Sequence, residues 1–352
     1  MTAVLPVVVP KVDESATRSE GVWHAAWRRL RRDRVGVFSM LVVFVFIVLI
    51  ALTASGLVAS GWQREVGVPS APPTFMGPAP VVENSAIAGP SGPPVDISAV
   101  DPLAPRYKEW AERAAKYKTV EQPKAATLPF GGDRVGRDVL AKAMKGTQTS
   151  VFVGLLGALV ATVIGTILGA LGGFFGGKVG DFLEWLYSVF TSIPDILLIL
   201  SFAVIFGRGI GSVAMILALV GWTGLYRQVR AEFIKHSTRD YVRAAEAVGA
   251  STTARMFHHI LPNVSHVILV RMSLLVVGFI KFEVILSYLG LGVGVDDVSW
   301  GTMLAEAQSE LILGYWWQLV AATAFMAVFV TAFSLMTDAL RDALDPKLRG
   351  LE

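Results

Sequence analysis

VGVFSMLVVFVFIVLIALTASGL, residues 35–57, runs for 23 positions without a charged side chain. A helix rises about 1.5 Å per residue and needs roughly 20 apolar residues to cross the ~30 Å hydrocarbon layer of a bilayer. The stretch is therefore read as a first membrane span. Arg28, Arg29, Arg31, Arg32 and Arg34 stand directly before it, and positive charge holds a flank on the cytoplasmic side. No short apolar core with a small-residue cleavage site precedes the run, so residues 1–34 are expected to form a cytoplasmic N-terminal segment.

Composition extends this reading to the whole chain. Of 352 residues, 53% are hydrophobic and 17% charged, against about 25% charged in soluble domains, and the mean hydropathy is +0.57. A net charge of +3 from 31 basic and 28 acidic residues leaves no basic footprint for nucleic acid. The absence of cysteine excludes disulfides, thiolate metal sites and cysteine nucleophiles.

Further spans are expected at 150–173, 182–206, 212–226, 264–289 and 317–340. The fold class is thus all-α and polytopic, with six transmembrane helices. Residues 58–148 form a long extracytoplasmic insertion with prolines at 69, 72, 73, 78, 80, 90, 93 and 94, and 107–118 (YKEWAERAAKYK) has the composition of a short surface helix. Alternation places 227–262 in the cytoplasm, where Arg227, Arg230, Lys235, Arg239, Arg243 and Arg255 outnumber Glu232, Asp240 and Glu246. It also returns the tail 341–352, with Arg341, Lys347 and Arg349, to the inside, so both termini are cytoplasmic.

Three patterns within the core, 149–340, invite functional readings. Gly157, Ala161, Gly165, Gly169 and Gly173 repeat at a spacing of four, a small-residue stripe along which another backbone can approach closely in lipid. Asp195 follows Pro194 near the middle of the third span, while Arg271, Lys281 and Glu283 interrupt the fifth. Ionisable groups at membrane depth face protein or a water-filled route, so Asp195, Lys281 and Glu283 are candidates for lining a translocation pathway, the alternative being structural ion pairs or snorkelling ends. Between the fourth and fifth spans, RDYVRAAEAVGASTTARMFHHILPN, residues 239–263, reads as two short helices joined at Gly249, the second capped by Ser251 and ending near Pro262.

The order of residues in that cytoplasmic segment resembles the EAA motif of ABC importer permeases, matched by Ala244, Ala245, Gly249, Leu261 and Pro262. Arg243 stands where the general motif has glutamate, and His259 where it has isoleucine. FGGDRVGRDVLAKAMKGTQTSVFVG from Phe130, LSYLGLGVGVDDVSWGTML from Leu286 and LRDALDPKLR from Leu340 are similar to further signatures of the C-type permease subunit of dipeptide and oligopeptide ABC importers. Asp296 and Asp297 occupy a loop where that family often has proline, and Glu283 matches its glutamate before the L-S-F-L-G-L-G block.

The resemblance implies the type I importer permease fold in a bacterial inner membrane, with a coupling helix at 240–262. Tyr241, Arg243, Ala244, Ala245, Glu246, Gly249, Ser251, Arg255, Leu261 and Pro262 would then meet a groove of the ATPase, with Arg243 and Arg255 pairing with its acidic groups. Implied partners are a homologous second permease, two ATP-binding cassette ATPase subunits, an extracytoplasmic solute-binding protein and membrane lipid. ATP and Mg belong to the ATPase subunits; no cofactor, metal or catalysis is expected on this chain. Nickel or another small solute is the alternative cargo. An intramembrane hydrolase is the alternative class, but GPSG at Gly89 lies in the Pro-rich loop, His258, His259 and His266 lack metal-ligand spacing, and GGFFGGKV at Gly172 lacks the Ser/Thr of a phosphate loop.

Overall fold

Asp33 opens the first helix by accepting the backbone N–H of Val35 at 3.0 Å, the capping bond that an N-terminus needs, and α1 runs Arg34–Ala54. The computed structural model describes residues 28–78, 100–116 and 123–344. Pro80, Pro90, Pro93 and Pro94, the GPSG at Gly89, and Lys347 and Arg349 lie outside the described residues. The remaining helices are α2 (Tyr107–Lys116), α3 (Val139–Phe175), α4 (Gly177–Thr191), α5 (Asp195–Phe206), α6 (Ile210–Ser237), α7 (Asp240–Ala247), α8 (Leu261–Tyr288), α9 (Trp300–Ile312) and α10 (Trp317–Leu344). Among the described residues extended pairing is confined to isolated bridges, and there is no strand.

Length and apolarity single out α1, α3, α6 and α10 as able to cross a membrane, and a fifth span if α4 and α5 are one bent crossing. The expected fifth span, α8, is 28 residues long but is not in that set. The expected third span, 182–206, is not a continuous helix: α4 and α5 meet at 85°. Pro194 is the cause, because its ring disfavours helical backbone at Ile193 while its fixed φ suits a new helix start. Asp195 is therefore the first residue of α5 and not a mid-helix charge. The expected second and fourth spans are the apolar parts of longer rods, α3 with 37 residues and α6 with 28.

These two rods make the tightest contact in the bundle. A Cβ on Gly165 would stand 2.8 Å from the Trp222 carbonyl oxygen, one on Gly169 2.8 Å from that of Tyr226, and one on Gly173 2.6 Å from that of Arg230. Gly157 meets Phe279 of α8 and Ala214 of α6 in the same way, and Ala161 is fully buried. The stripe thus lies on α6 of the same chain. Opposite it, Phe152, Leu155, Leu159 and Val163 are exposed, as a lipid-facing side requires. On α1, Gly36, Ser39, Val43 and Phe46 are the inward residues, with Phe46 against Phe325 and Phe329 of α10 at ring distances of 6.1 and 5.2 Å.

At the end where α1 leaves and α3 enters, described parts of the insertion fold back on each other. Val68 donates to the Ala125 carbonyl at 2.9 Å and Ala125 to that of Val66 at 2.9 Å, while Gly67 donates to Gly136 at 2.9 Å. Gly136 has φ +90 and lies so close to the Gly67 carbonyl that no side chain fits. Helix α2 is exposed along its described length, carrying an exposed Arg113–Glu109 pair at 2.8 Å.

Gly169→Val forces a branched side chain into the Tyr226 backbone and costs about 1–3 kcal/mol by overpacking. Gly211→Ala, where no atom lies within 4 Å of the added carbon, is near neutral. Thermal unfolding in detergent separates the two.

Candidate functional site

Helix α7 rests on the basal cluster of the bundle. Val242 and Ala245 are buried, and Val242 joins the cluster that includes Phe233, Met256 and Ile260. Tyr241, Arg243 and Ala244 stay outside, and Val248 is 86% exposed. Gly249 follows with φ +87, a left-handed turn that favours glycine, and the Ser251 hydroxyl accepts the Ala254 N–H at 3.2 Å. The result is a small raised step whose exposed side carries Ala244, Ala247 and Val248 beside Tyr241, Arg243 and Glu246.

Two expectations for this segment are corrected. The helix begun at Ser251 does not end near Pro262: it passes through a π-helical stretch, Arg255–Ile260, into α8. A widened turn removes the conflict that proline's ring and missing N–H create in a regular α-helix. Arg255, expected to reach a partner's acid, is engaged within the chain. It pairs with Glu246 at 2.6 Å and lies 5.5 Å over the Phe174 ring, so it braces α7 against the base of α3. Arg243 keeps its side exposed.

The expected pathway residues do not converge. Glu283 is fully buried; Ser287 Oγ donates to its Oε1 at 2.6 Å while Oε2 has no partner. Lys281 is exposed. Asp195 lies elsewhere, at the start of α5, on a cleft of about 190 Å³ between α5, α6 and α8 that is also lined by Thr223, Gly224, Arg271, Gly278 and Phe282.

A further constellation joins two sequence blocks that showed no common chemistry. Lys142 of α3 is 1% exposed and pairs with Asp133 at 2.8 Å and Glu306 of α9 at 2.5 Å. Gln318 of α10 donates to Glu306 at 2.9 Å and to the Met303 carbonyl at 3.1 Å. Arg134 N–H donates to Glu310 Oε1 at 2.9 Å, and Trp317 Nε1 donates to the Gly132 carbonyl at 2.6 Å. Burial alone raises the Asp133 carboxyl, but the Lys142 charge and hydrogen bond, with the N–H groups of Arg137 and Val135, outweigh it and the net shift is downward. Glu310 goes the other way: burial pushes it up to about 6 against the Arg134 N–H and Lys142, with Asp133 and Glu306 adding repulsion. Glu306 and Glu310 sit four apart on one helix face, a legible signal; that Lys142 would meet them was not.

The fold and these sites define a polytopic helical membrane protein with a braced external step at one end and an interhelical cleft. Residues 161–350 match the family model of the binding-protein-dependent transport system inner membrane component, and residues 21–73 match the N-terminal TM domain of oligopeptide transport permease C. The chain belongs to this family of transport permeases. It is 35% identical over 227 residues to the dipeptide transport system permease protein DppC of Bacillus subtilis, covering 64% of this chain and 71% of that one. The oligopeptide transport system permease protein OppC of the same organism is 32% identical, with 70% and 81% covered. OppC of Escherichia coli is 39% identical, with 62% and 72% covered.

Lys142→Met leaves Asp133 buried and unpaired and costs about 3–5 kcal/mol; adding Asp133→Leu recovers much of it, as melting temperatures in detergent report. Glu310 gives a pH signature. Its folded pKa lies above the unfolded 4.5, so the folded state holds the proton longer and stability falls as pH rises from about 4.5 to 6, then levels. The shift is worth about 2 kcal/mol, and Glu310→Gln flattens that window.

Proposed function

We propose that this chain is one of two permease subunits of an ATP-driven importer of di- and oligopeptides. The reading is carried by the family match together with relatives that are dipeptide and oligopeptide transport permeases. In it the chain has the type I fold with six spans, α8 counted as the fifth in chain order, and both termini in the cytoplasm. The arginine cluster before α1 and the basic 227–262 segment support that orientation. The insertion then lies outside, where a solute-binding protein docks, and α7 with Val248 and Gly249 is the coupling element in a groove of an ATPase subunit. Short exposed side chains suit close docking, and the Arg255–Glu246 pair keeps the step rigid.

The mechanism is alternating access. ATP binding on the partner subunits brings them together, α7 moves with them, and because it is packed on α6 and on the π-helical stretch that leads into α8, the displacement passes into the bundle as a rigid-body shift. ATP and Mg act on the ATPase subunits; this chain contributes a conformational equilibrium whose two states hold partners and cargo differently.

Val248→Glu with Ala244→Glu places two acids on the outer face of α7 without touching Val242 or Ala245. Expected are at least tenfold lower recovery of ATPase subunits with the tagged permease and loss of ATP-dependent dipeptide uptake in proteoliposomes. Lys108→Glu on exposed α2 leaves both intact. Full ATPase recovery and uptake in the double variant overturns the coupling role, and uptake of nickel but no peptide by the unaltered complex overturns the cargo.

A further inference from the structure

The cleft between α5, α6 and α8 holds two opposite charges that do not meet. Asp195 stands at its α5 wall and Arg271 at its α8 wall, both lining the same cavity, yet they form no ion pair. Arg271 makes no hydrogen bond or ion pair among the described residues, and its Nε is buried without a partner. An arginine kept in a membrane helix without a counter-charge is costly, and the nearest part of α6 to this one is the glycine at 224. A Cβ on Gly224 would come 2.6 Å from its Nη2, so the guanidinium rests directly on the α6 backbone there and a larger residue would displace its tip. Gly278, on the same helix as Arg271, has open space where a side chain would be. The wall between the charges is apolar, formed by Phe279 and Phe282 among others.

Each alternative reading of the pair explains less. A structural salt bridge needs contact that is absent. Asp195 alone is explained by the favourable field at the N-terminus of α5, but that leaves Arg271 unexplained. A guanidinium with free donors facing a small cavity is a carboxylate receptor, because its fork matches two carboxylate oxygens. An exposed carboxylate on the opposite wall suits an ammonium. Carboxylate and ammonium at the two ends of an apolar body are what an unblocked short peptide carries.

We propose that this cleft is a two-point acceptor site for zwitterionic peptide in transit, its C-terminal carboxylate taken by Arg271 and its ammonium attracted by Asp195. The proposal rests on the permease reading and adds its cargo chemistry. At about 190 Å³ the cleft has room for roughly six waters at ~30 Å³ each. A very short peptide engages both charges, whereas a longer one engages Arg271 with its end only. Binding there is weak by design of the route, since cargo must leave again.

The chain has no cysteine, which makes the cleft directly readable. Thr223→Cys in the full complex introduces one reactive position on its wall, and the rate of alkylation is followed with and without millimolar dialanine. Expected is at least threefold slowing by dialanine, little slowing by dialanine amide, loss of protection with Arg271→Gln, and only partial protection with Arg271→Lys, which keeps the charge but not the fork. Asp195→Asn removes the preference for dialanine over its N-acetyl derivative. These measurements need no binding protein, so they remain distinct from proteoliposome uptake, whose failure with every peptide in the unaltered complex would count against the permease reading itself. Absence of labelling, equal protection by acid and amide, or protection unchanged by Arg271→Gln overturns the site. So does restoration of uptake by the exchange Asp195→Arg with Arg271→Asp, because a closing salt bridge between the walls would then account for both charges.

Discussion

The contact on which the rest of the molecule depends is the backbone-to-backbone packing of α3 on α6. In lipid there is no water to expel from between helices, so association comes from close van der Waals contact and hydrogen bonds. Gly165, Gly169 and Gly173 bring α3 against the carbonyls of Trp222, Tyr226 and Arg230, leaving no slack for sliding. Once that pair is fixed, α6 carries Gly221 and Gly224 to the cleft and Phe233 to the cluster under α7. One rod therefore links the raised step at the base to the cavity within the bundle.

The other end is held by charge. Lys142 sits on the first turns of α3 and draws Asp133, Glu306 and Gln318 around one ammonium. Removing two charges from water is expensive, and such a group stabilises the fold only when every partner stays in place. Its value is in specificity: it fixes the start of α3, the short helix α9 and the start of α10 in a single arrangement. Gly146 packing on Ser299 and Trp300, with the Trp300 N–H donating to Ser150 Oγ at 3.2 Å, continues the same seam. The sequence blocks from Phe130 and from Leu286 are thus two halves of one structural lock.

What the sequence made legible follows from how local each signal is. The apolar run from Val35, the stripe from Gly157 to Gly173 and the glycine turn at Gly249 are one-segment patterns, and each appears as a helix, a contact face and a left-handed turn. The long insertion was legible only as proline content; its pairing of 65–74 with 125–137 crosses more than fifty residues and leaves no periodic mark. Hydropathy counts Pro194 as a tolerable residue and so predicts one continuous third span, whereas backbone geometry treats it as a break. Glu283 and Asp195 looked alike as membrane charges, yet burial separates them completely, and burial is a property of neighbours.

The same distinction applies to Arg271. In sequence it is one of three charges interrupting α8, and its meaning depends on what α6 presents opposite. That is Gly224, a residue whose contribution is space. In the coupling role proposed for α7, a displacement reaches α6 first, because α7 packs on it, and α6 carries Gly224 and Thr223 on the wall between α5 and α8. Asp195 and Arg271 stand on the helices at either side of that wall, and both helices rest on α6, so their separation depends on how each is seated there. If α7 couples as proposed, a site defined by two charges on different helices responds to its state through α6, and it holds or releases a ligand of fixed charge spacing without either residue changing rotamer.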